Sequence, residues 1–198
     1  MTPLALSAYT LTTCLGRGID ANREALRAER SSLAPCAFET VRLDTWVGEV
    51  AGVDDQRLPG ALSRYDCRNN RLTLMGLETD GFGDRVREVV TQHGADRVGV
   101  FLGTSTAGIL QTELAYRRRD SEGNLPADLR YRYAQNLYSM TDFVRRTLRY
   151  ASEPPLSFAR ILADQERMLQ WAAVLGTNDV SLLAPDLGGR LWRGGCRV

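Results

Sequence analysis

A short apolar segment that runs into a glycine-bounded turn constrains the fold of this chain most strongly. Residues 97–102 read Arg-Val-Gly-Val-Phe-Leu, and their β-branched and aromatic side chains are typical of a buried strand. Residues 103–108 read Gly-Thr-Ser-Thr-Ala-Gly, which predicts a tight turn, and residues 108–118 are expected to form a helix. Together with a predicted helix over residues 82–93, this order favours an α/β fold.

The apolar spacing elsewhere predicts further strands and helices of an α/β pattern before about residue 150. Strands are expected over residues 3–11 and 46–51, and helices over residues 19–30, 66–77 and 139–148. In the last of these helices, Ser139 is followed three residues later by Asp142, a spacing that predicts a side-chain cap at the helix start.

The composition excludes several classes of function. All 25 basic residues are arginine, so chemistry that needs a lysine Schiff base or a phosphate-binding lysine is excluded. The formal net charge is +1, which gives no overall field to recruit nucleic acid or anionic lipid. We therefore expect neither a nucleic-acid partner nor a membrane partner.

The cysteines and the single histidine leave little material for a metal or redox site. No two cysteines are close enough in sequence to form a CxxC pair, and no cluster of carboxylates compensates for the lack of histidine. The first residues contain no basic segment followed by a long apolar run. We expect no metal and no cofactor, reduced thiols and a cytoplasmic location. The four cysteines are Cys14, Cys36, Cys67 and Cys196.

The turn over residues 103–108 allows three interpretations. The simplest is a tight connection whose hydroxyl groups cap the following helix. The small residues would also permit close approach by a ligand. A third interpretation makes Ser105 the nucleophile of a hydrolase, but the sequence lacks the G-x-S-x-G pattern, and His93 precedes the serine instead of following it. His93 is expected to lie at the end of a helix, where a cation interacts favourably with the helix dipole.

Three arginines near the start of the predicted helix over residues 66–77 form a candidate basic surface. Arg64, Arg68 and Arg71 are spaced by four and three residues, which predicts that they share one helix face. A solvated surface is the simplest interpretation, and a dock for an acidic partner is the functional alternative.

Several segments together resemble the β-ketoacyl-acyl-carrier-protein synthases of the thiolase-like superfamily. The resemblance is greatest over residues 97–113, and the order of the other pieces along residues 3–149 supports it. It implies an α/β fold. The expected structure is an incomplete thiolase-like layered fold, consisting of the N-terminal half with a mixed sheet and flanking helices. The other similar pieces are residues 16–18, 25–33, 66–72 and 139–148.

The resemblance also implies an activity and a set of site residues. These enzymes condense an acyl thioester with malonyl-carrier protein, with loss of carbon dioxide, in fatty-acid or polyketide synthesis, and they use a cysteine and two histidines. Thr106 matches a position that lines the acyl pocket, and Arg64 and Arg68 match basic positions that meet the acidic carrier protein. Tyr65 stands where a lysine is often found. The implied partners are an acyl carrier protein and either a second copy or a ketosynthase partner subunit.

The chain departs from the family at the catalytic residues. Where the family has its nucleophile, residues 151–158 read Ala-Ser-Glu-Pro-Pro-Leu-Ser-Phe, and no cysteine occurs between Cys67 and Cys196. We therefore expect no catalytic residues of the family and an inactive, truncated form. The alternatives are a non-catalytic partner subunit of a ketosynthase heterodimer and, more weakly, an acyltransferase or hydrolase that uses Ser105.

The predicted organisation is a ketosynthase-like region over residues 1–150 and a divergent tail over residues 151–198. The tail ends in a run rich in glycine and arginine, as a shifted reading frame in GC-rich DNA would give. Because the family's fold stacks two similar halves, one half leaves apolar faces uncovered. Exposing ~1,000 Å² of apolar surface forfeits about 25 kcal/mol of burial, so we expect a chain that is poorly stable, prone to aggregate or dependent on a partner.

Overall fold

The computed structural model describes residues 5–37, 43–104, 107–136 and 138–148. These residues form a mixed α/β structure in which helices pack together beside two small sheets. The tail predicted over residues 151–198, and with it Cys196, lies outside the described residues, as do Ser105 and Thr106.

The helices confirm most of the elements predicted from apolar spacing. Five α-helices are seen in the described part of the chain, and each overlaps a predicted helix; α3 has both of its predicted ends. The α-helices are α1 (Ile19–Arg27), α2 (Arg68–Leu77), α3 (Phe82–His93), α4 (Ile109–Arg117) and α5 (Ser139–Thr147). Shorter helical turns are the 3-10 segments Gly60–Tyr65, Thr79–Gly81 and Ala95–Arg97 and the π-helical segment Tyr131–Gln135.

The two sheets are short antiparallel hairpins. In the first, β1 (Thr12–Thr13) pairs with β2 (Gly16–Arg17), and in the second, β3 (Ala34–Pro35) pairs with β4 (Trp46–Val47). The strand predicted over residues 46–51 is therefore limited to two residues. The strand predicted over residues 3–11 is wrong for the described residues 6–11, which are not strand.

The predicted strand over residues 97–102 is wrong. The chain makes a 3-10 turn at Ala95–Arg97, Val98 has an extended backbone, and Leu102 makes only an isolated β-bridge. Val98 and Val100 pack against the core, which accounts for the apolar character of the segment without any sheet. The mixed sheet expected from the resemblance is not found among the described residues.

The core lies where α2, α3 and α5 meet the 3-10 segment before α2. Phe143 is fully buried on α5, and its ring centroid lies 5.9 Å from that of Tyr65, which is also fully buried. Burial of these apolar side chains provides the main stabilisation of the described region. The other fully or nearly buried members are Leu58, Leu74, Leu77, Phe82, Val86, Leu102, Met140, Val144 and Leu148.

The predicted cap of α5 is also wrong. Tyr138, not Ser139, occupies the capping position, and Ser139 is the first residue of the helix. Since Ser139 already has helical geometry, its hydroxyl cannot accept from the backbone of the next turn as a capping residue does. Its buried Oγ has no hydrogen-bond partner within the described chain.

The start of α1 is capped by a side chain distant in sequence. The Asp80 carboxylate accepts a hydrogen bond from the backbone N–H of Ile19 at 2.9 Å and another from Thr10 Oγ1 at 3.0 Å. A carboxylate at this position interacts favourably with the positive end of the helix dipole. This contact ties the first helix to the turn between α2 and α3.

Candidate functional site

The three candidate arginines do not share one helix face, so that prediction is wrong. Arg64 lies in the 3-10 segment that precedes α2, whereas Arg68 and Arg71 lie in α2 itself. Arg68 holds the Asp54 carboxylate through two hydrogen bonds of 2.9 Å. Arg71 makes a similar pair with Asp66, at 2.6 and 2.7 Å. Acidic neighbours therefore partly neutralise this surface.

Arg64 differs from the other two because it is exposed and stacks on aromatic rings. Its guanidinium carbon lies 5.1 Å from the ring centroid of Tyr133 and 5.7 Å from that of Tyr65. A cation over a ring face is attracted by the ring's negative potential. The stacking orients Arg64 while it leaves the side chain at the surface, where an acidic partner could reach it.

A partly buried polar network around Tyr65, the residue after Arg64, was not found from the sequence. The Tyr65 hydroxyl donates a hydrogen bond to Asp142, and the same carboxylate accepts bonds from Arg145 at 2.9 Å and Arg146 at 3.0 Å. Arg145 and Arg146 follow Asp142 by three and four residues, and this spacing could have indicated the ion pairs. The sequence pattern assigned Asp142 to a helix cap instead. The network joins the segment before α2 to α5.

The network shifts the pKa values of both of its acidic members. Burial and the hydrogen bond to Asp142 raise the pKa of Tyr65 above its usual value. Burial alone would raise the pKa of Asp142, but the bonds from Tyr65 and the two arginines outweigh burial and lower it. At neutral pH the tyrosine is therefore a neutral donor and the aspartate a charged acceptor.

Replacing Tyr65 with phenylalanine is expected to lower the free energy of unfolding by about 1.5–3 kcal/mol at pH 7, since a bond to a charged group is lost. Because the pKa of Asp142 is lowered, its ionised carboxylate stabilises the folded state fully at pH values above the ordinary pKa of aspartate, which is about 4. That stabilisation is lost as the pH falls through the lowered pKa. The raised pKa of Tyr65 means that its contribution is lost only as the pH rises through a value above ~10. The difference between wild type and variant should therefore shrink at both extremes.

Urea unfolding between pH 2 and pH 11 measures this difference directly, with Tyr131→Phe as the matched control. Tyr131 is exposed, so its hydroxyl should matter by less than about 0.5 kcal/mol. An equal loss in both variants, or a Tyr65→Phe loss that does not change as Asp142 protonates, would contradict the assigned role.

Among the described cysteines, Cys67 is the buried one, and in the sequence it follows Tyr65 of this network by two residues. It immediately precedes α2 and is almost completely inaccessible to solvent. Burial raises the pKa of the thiol, and the backbone amide groups of Asn70 and Asn69 oppose that shift without reversing it. A raised pKa keeps the sulfur protonated at neutral pH, which is the opposite of what a nucleophilic cysteine needs.

Alkylation of the native protein by iodoacetamide at pH 7.5 is therefore expected to spare Cys67. Cys14 and Cys36 are partly exposed and should react at least about tenfold faster. Peptide mapping by mass spectrometry gives the three rates, and labelling in denaturant should make them equal. Native labelling of Cys67 as fast as that of Cys36 would show that its thiol is accessible and activated.

The turn before α4 packs closely on the rest of the molecule. The backbone N–H of Gly108 donates to Asn69 Oδ1 at 3.2 Å, and Gly108 has a left-handed backbone with φ of 58°. This contact joins α4 to α2. Ser105 and Thr106, the candidate nucleophile and the candidate acyl-pocket residue, are not among the described residues, so their positions stay predictions.

The elements around this turn contain buried polar atoms without partners. Such atoms cost about 1–3 kcal/mol each, so this junction is the least satisfied part of the described interior. Segment Tyr131–Gln135 contacts both α4 and α5, and α5 contacts α2. Within the described chain the unpartnered atoms are Asn70 Oδ1, Gln111 Oε1, Gln135 Oε1 and Ser139 Oγ.

His93 lies where the sequence predicted, in the last turn of α3, and its side chain is exposed. In the described residues, no group of three or more His, Cys, Asp or Glu side chains is arranged as a metal site. Nor does the described part of the chain contain a helix long and apolar enough to cross a membrane.

Comparison with known proteins adds no family to these observations. No protein-family model matches the chain, and a search of curated proteins found no significant match.

Proposed function

We propose that this chain is a ketosynthase-like N-terminal region of the thiolase-like superfamily that has no catalytic site of its own. The proposal rests on the resemblance of residues 97–113 and of the segments around them to β-ketoacyl-carrier-protein synthases. The sequence has no cysteine at the position of the family's nucleophile. By itself the chain should therefore not catalyse the decarboxylative condensation.

The environment of Cys67 is the observation that supports this proposal most directly. Its thiol is buried and has a raised pKa, and the single histidine of the chain is exposed at the end of α3. A Cys-His-His site needs an accessible thiolate together with two imidazole donors. One histidine cannot supply both donors.

The experiment that tests this proposal offers the chain an acyl-carrier-protein thioester and malonyl-carrier protein. We expect neither an acyl adduct in the intact mass nor a β-ketoacyl product, whereas a complete ketosynthase assayed in parallel forms both. An acyl adduct on a cysteine would overturn the proposal. An adduct on Ser105 that disappears in Ser105→Ala would favour the serine acyltransferase or hydrolase instead.

A non-catalytic partner subunit of a ketosynthase heterodimer is the second candidate. Large apolar side chains are exposed at several places in the described structure, and a partner that covers them would stabilise the chain. Trp46 on β4 and Leu33 beside β3 are both more than half exposed, as is Leu26 on α1. These exposed positions favour a role that depends on a second polypeptide.

For the acyl carrier protein, Arg64 is a better candidate contact than Arg68. Arg68 already holds Asp54, whereas Arg64 is exposed and oriented by Tyr133. Reversing its charge in Arg64→Glu should weaken carrier-protein binding about tenfold, because an attractive pair becomes a repulsive one. Fluorescence anisotropy with a labelled carrier protein measures the affinity. Arg85→Glu, an exposed reversal on α3, is the matched control, and an equal loss in both would argue against a specific contact.

A further inference from the structure

Helix α4 ends in three consecutive arginines that the proposed function does not use. Arg117 is the last residue of the helix, Arg118 caps its end, and Arg119 follows. All three side chains are exposed. Such a run compensates the negative end of the helix dipole, which is its simplest role. The residues that come directly after the run point to a second one.

Ser121 lies in the exposed turn that follows these arginines. Arg118 and Arg119 precede it by three and two residues. In the described structure the serine is exposed, and its hydroxyl makes no hydrogen bond. The Oγ atom is therefore open to solvent, and two guanidinium groups precede it at a fixed spacing in the sequence.

The turn that contains Ser121 is held by few contacts. Residues 119–125 are all exposed. The Asp120 carboxylate accepts hydrogen bonds from the backbone N–H groups of Glu122 and Asn124, at 3.0 and 2.8 Å. Exposed segments with few buried contacts open locally at a much lower free energy than the core. An enzyme can therefore bind this segment in an extended conformation while the rest of the chain stays folded.

We propose that Ser121 is a phosphorylation site for a Ser/Thr protein kinase that recognises arginines at the positions of Arg118 and Arg119. Kinases distinguish their substrates partly by the charge pattern around the modified residue. In the transfer, Ser121 Oγ bonds to the γ-phosphorus of Mg-ATP, and the bond from that phosphorus to the bridging oxygen of ADP breaks. The hydroxyl proton passes to the catalytic aspartate of the kinase, and ADP leaves.

One of the two recognised arginines already has a partner in the chain. Arg118 Nη1 lies 3.0 Å from Asp128 Oδ2. The guanidinium carbon of Arg119 instead lies 5.3 Å from the ring centroid of Tyr116. The ion pair is exposed to solvent, which screens its attraction and keeps it weak. Asp128 therefore competes with the kinase for Arg118 and slows recognition without preventing it.

The test incubates the full 198-residue chain with Mg-ATP and the catalytic subunit of cyclic AMP-dependent kinase, which prefers this arginine spacing. Intact mass should show a single added phosphoryl group, and peptide mapping should place it on Ser121. Ser121→Ala should abolish the incorporation. Ser31→Ala is the matched control and should leave it unchanged, because Ser31 is exposed but directly follows an isolated arginine, Arg30.

Substitutions of the arginines test the recognition itself. Arg118→Ala and Arg119→Ala should each lower kcat/KM for phosphorylation by about tenfold or more, because each removes a charge that the kinase binds. Arg117→Ala is the matched control: it removes an adjacent exposed arginine outside the recognised positions, so kcat/KM should change by less than about twofold. Asp128→Asn releases Arg118 and should raise kcat/KM by about two- to fivefold.

Three results would overturn the proposal: no incorporation into the wild type, incorporation that persists in Ser121→Ala, or equal losses in Arg117→Ala and Arg118→Ala. An unchanged or lower kcat/KM in Asp128→Asn would overturn the assigned competition for Arg118. The substituted positions are exposed, so far-UV circular dichroism should show the same fold for all variants. The inference depends only on this turn and does not rest on the ketosynthase-like function.

Discussion

Replacing Gly108 with alanine is expected to lower the free energy of unfolding by more than about 3 kcal/mol. Two costs add: alanine in the left-handed conformation costs roughly 1–2 kcal/mol, and the new methyl group has no space. A Cβ at this position would lie 2.8 Å from the carbonyl carbon of Ala134 and closer still to its oxygen. Because these are backbone atoms, α4 and segment Tyr131–Gln135 would have to separate.

Gly81→Ala is the matched control for this prediction. Gly81 precedes α3 as Gly108 precedes α4, and its backbone is also left-handed, with φ of 67°. No atom lies within 4 Å of the position that a Cβ would take. Gly81→Ala should therefore cost only the conformational part, roughly 1–2 kcal/mol. Urea unfolding of the two variants separates the contributions, and equal losses would show that the contact with Ala134 is not close.

Replacing Phe143 with alanine is expected to cost about 3–5 kcal/mol of stability, the usual range for a large aromatic side chain removed from a core. Phe143 is completely buried on α5 and packs against Tyr65. The loss combines burial with a cavity between α5 and the segment before α2. Thermal and urea unfolding both measure it.

Leu26→Ala is the control for the core substitution. Leu26 also lies on a helix, but it is 57% exposed, so its removal should change stability by less than about 0.5 kcal/mol. A small effect of Phe143→Ala, close to that of Leu26→Ala, would mean that α5 does not pack on the core as described.

Local sequence was sufficient to predict the helices. The apolar residues of α3 recur at helical spacing, and glycines precede and follow it, so both of its ends were predictable. The segment over residues 97–102 was not predictable in the same way. Its valines fit a strand, yet a strand needs a neighbour with which to pair, and hydrogen-bond partners distant in sequence leave no periodic signal.

The candidate site was predicted less well than the helices. The sequence spacing of Arg64, Arg68 and Arg71 is that of one helix face. In the structure, Arg64 belongs to the 3-10 segment that ends at Tyr65, whereas the other two belong to α2. Asp142 was recognised as part of a helix start, while its bonds to Tyr65 and to the arginines depend on how α5 packs. Spacing along the chain does not report contacts across the core.

The sequence by itself determined which side chains are present: with one histidine and no lysine, the given residues cannot supply two imidazole donors or a lysine amine. It also determined where the helices lie, because helix formation depends on spacing over a few residues. Only the tertiary structure decided that Asp80 caps α1 and that Tyr65 is buried against Asp142. Those features depend on which distant segments pack together, and that choice belongs to the whole fold.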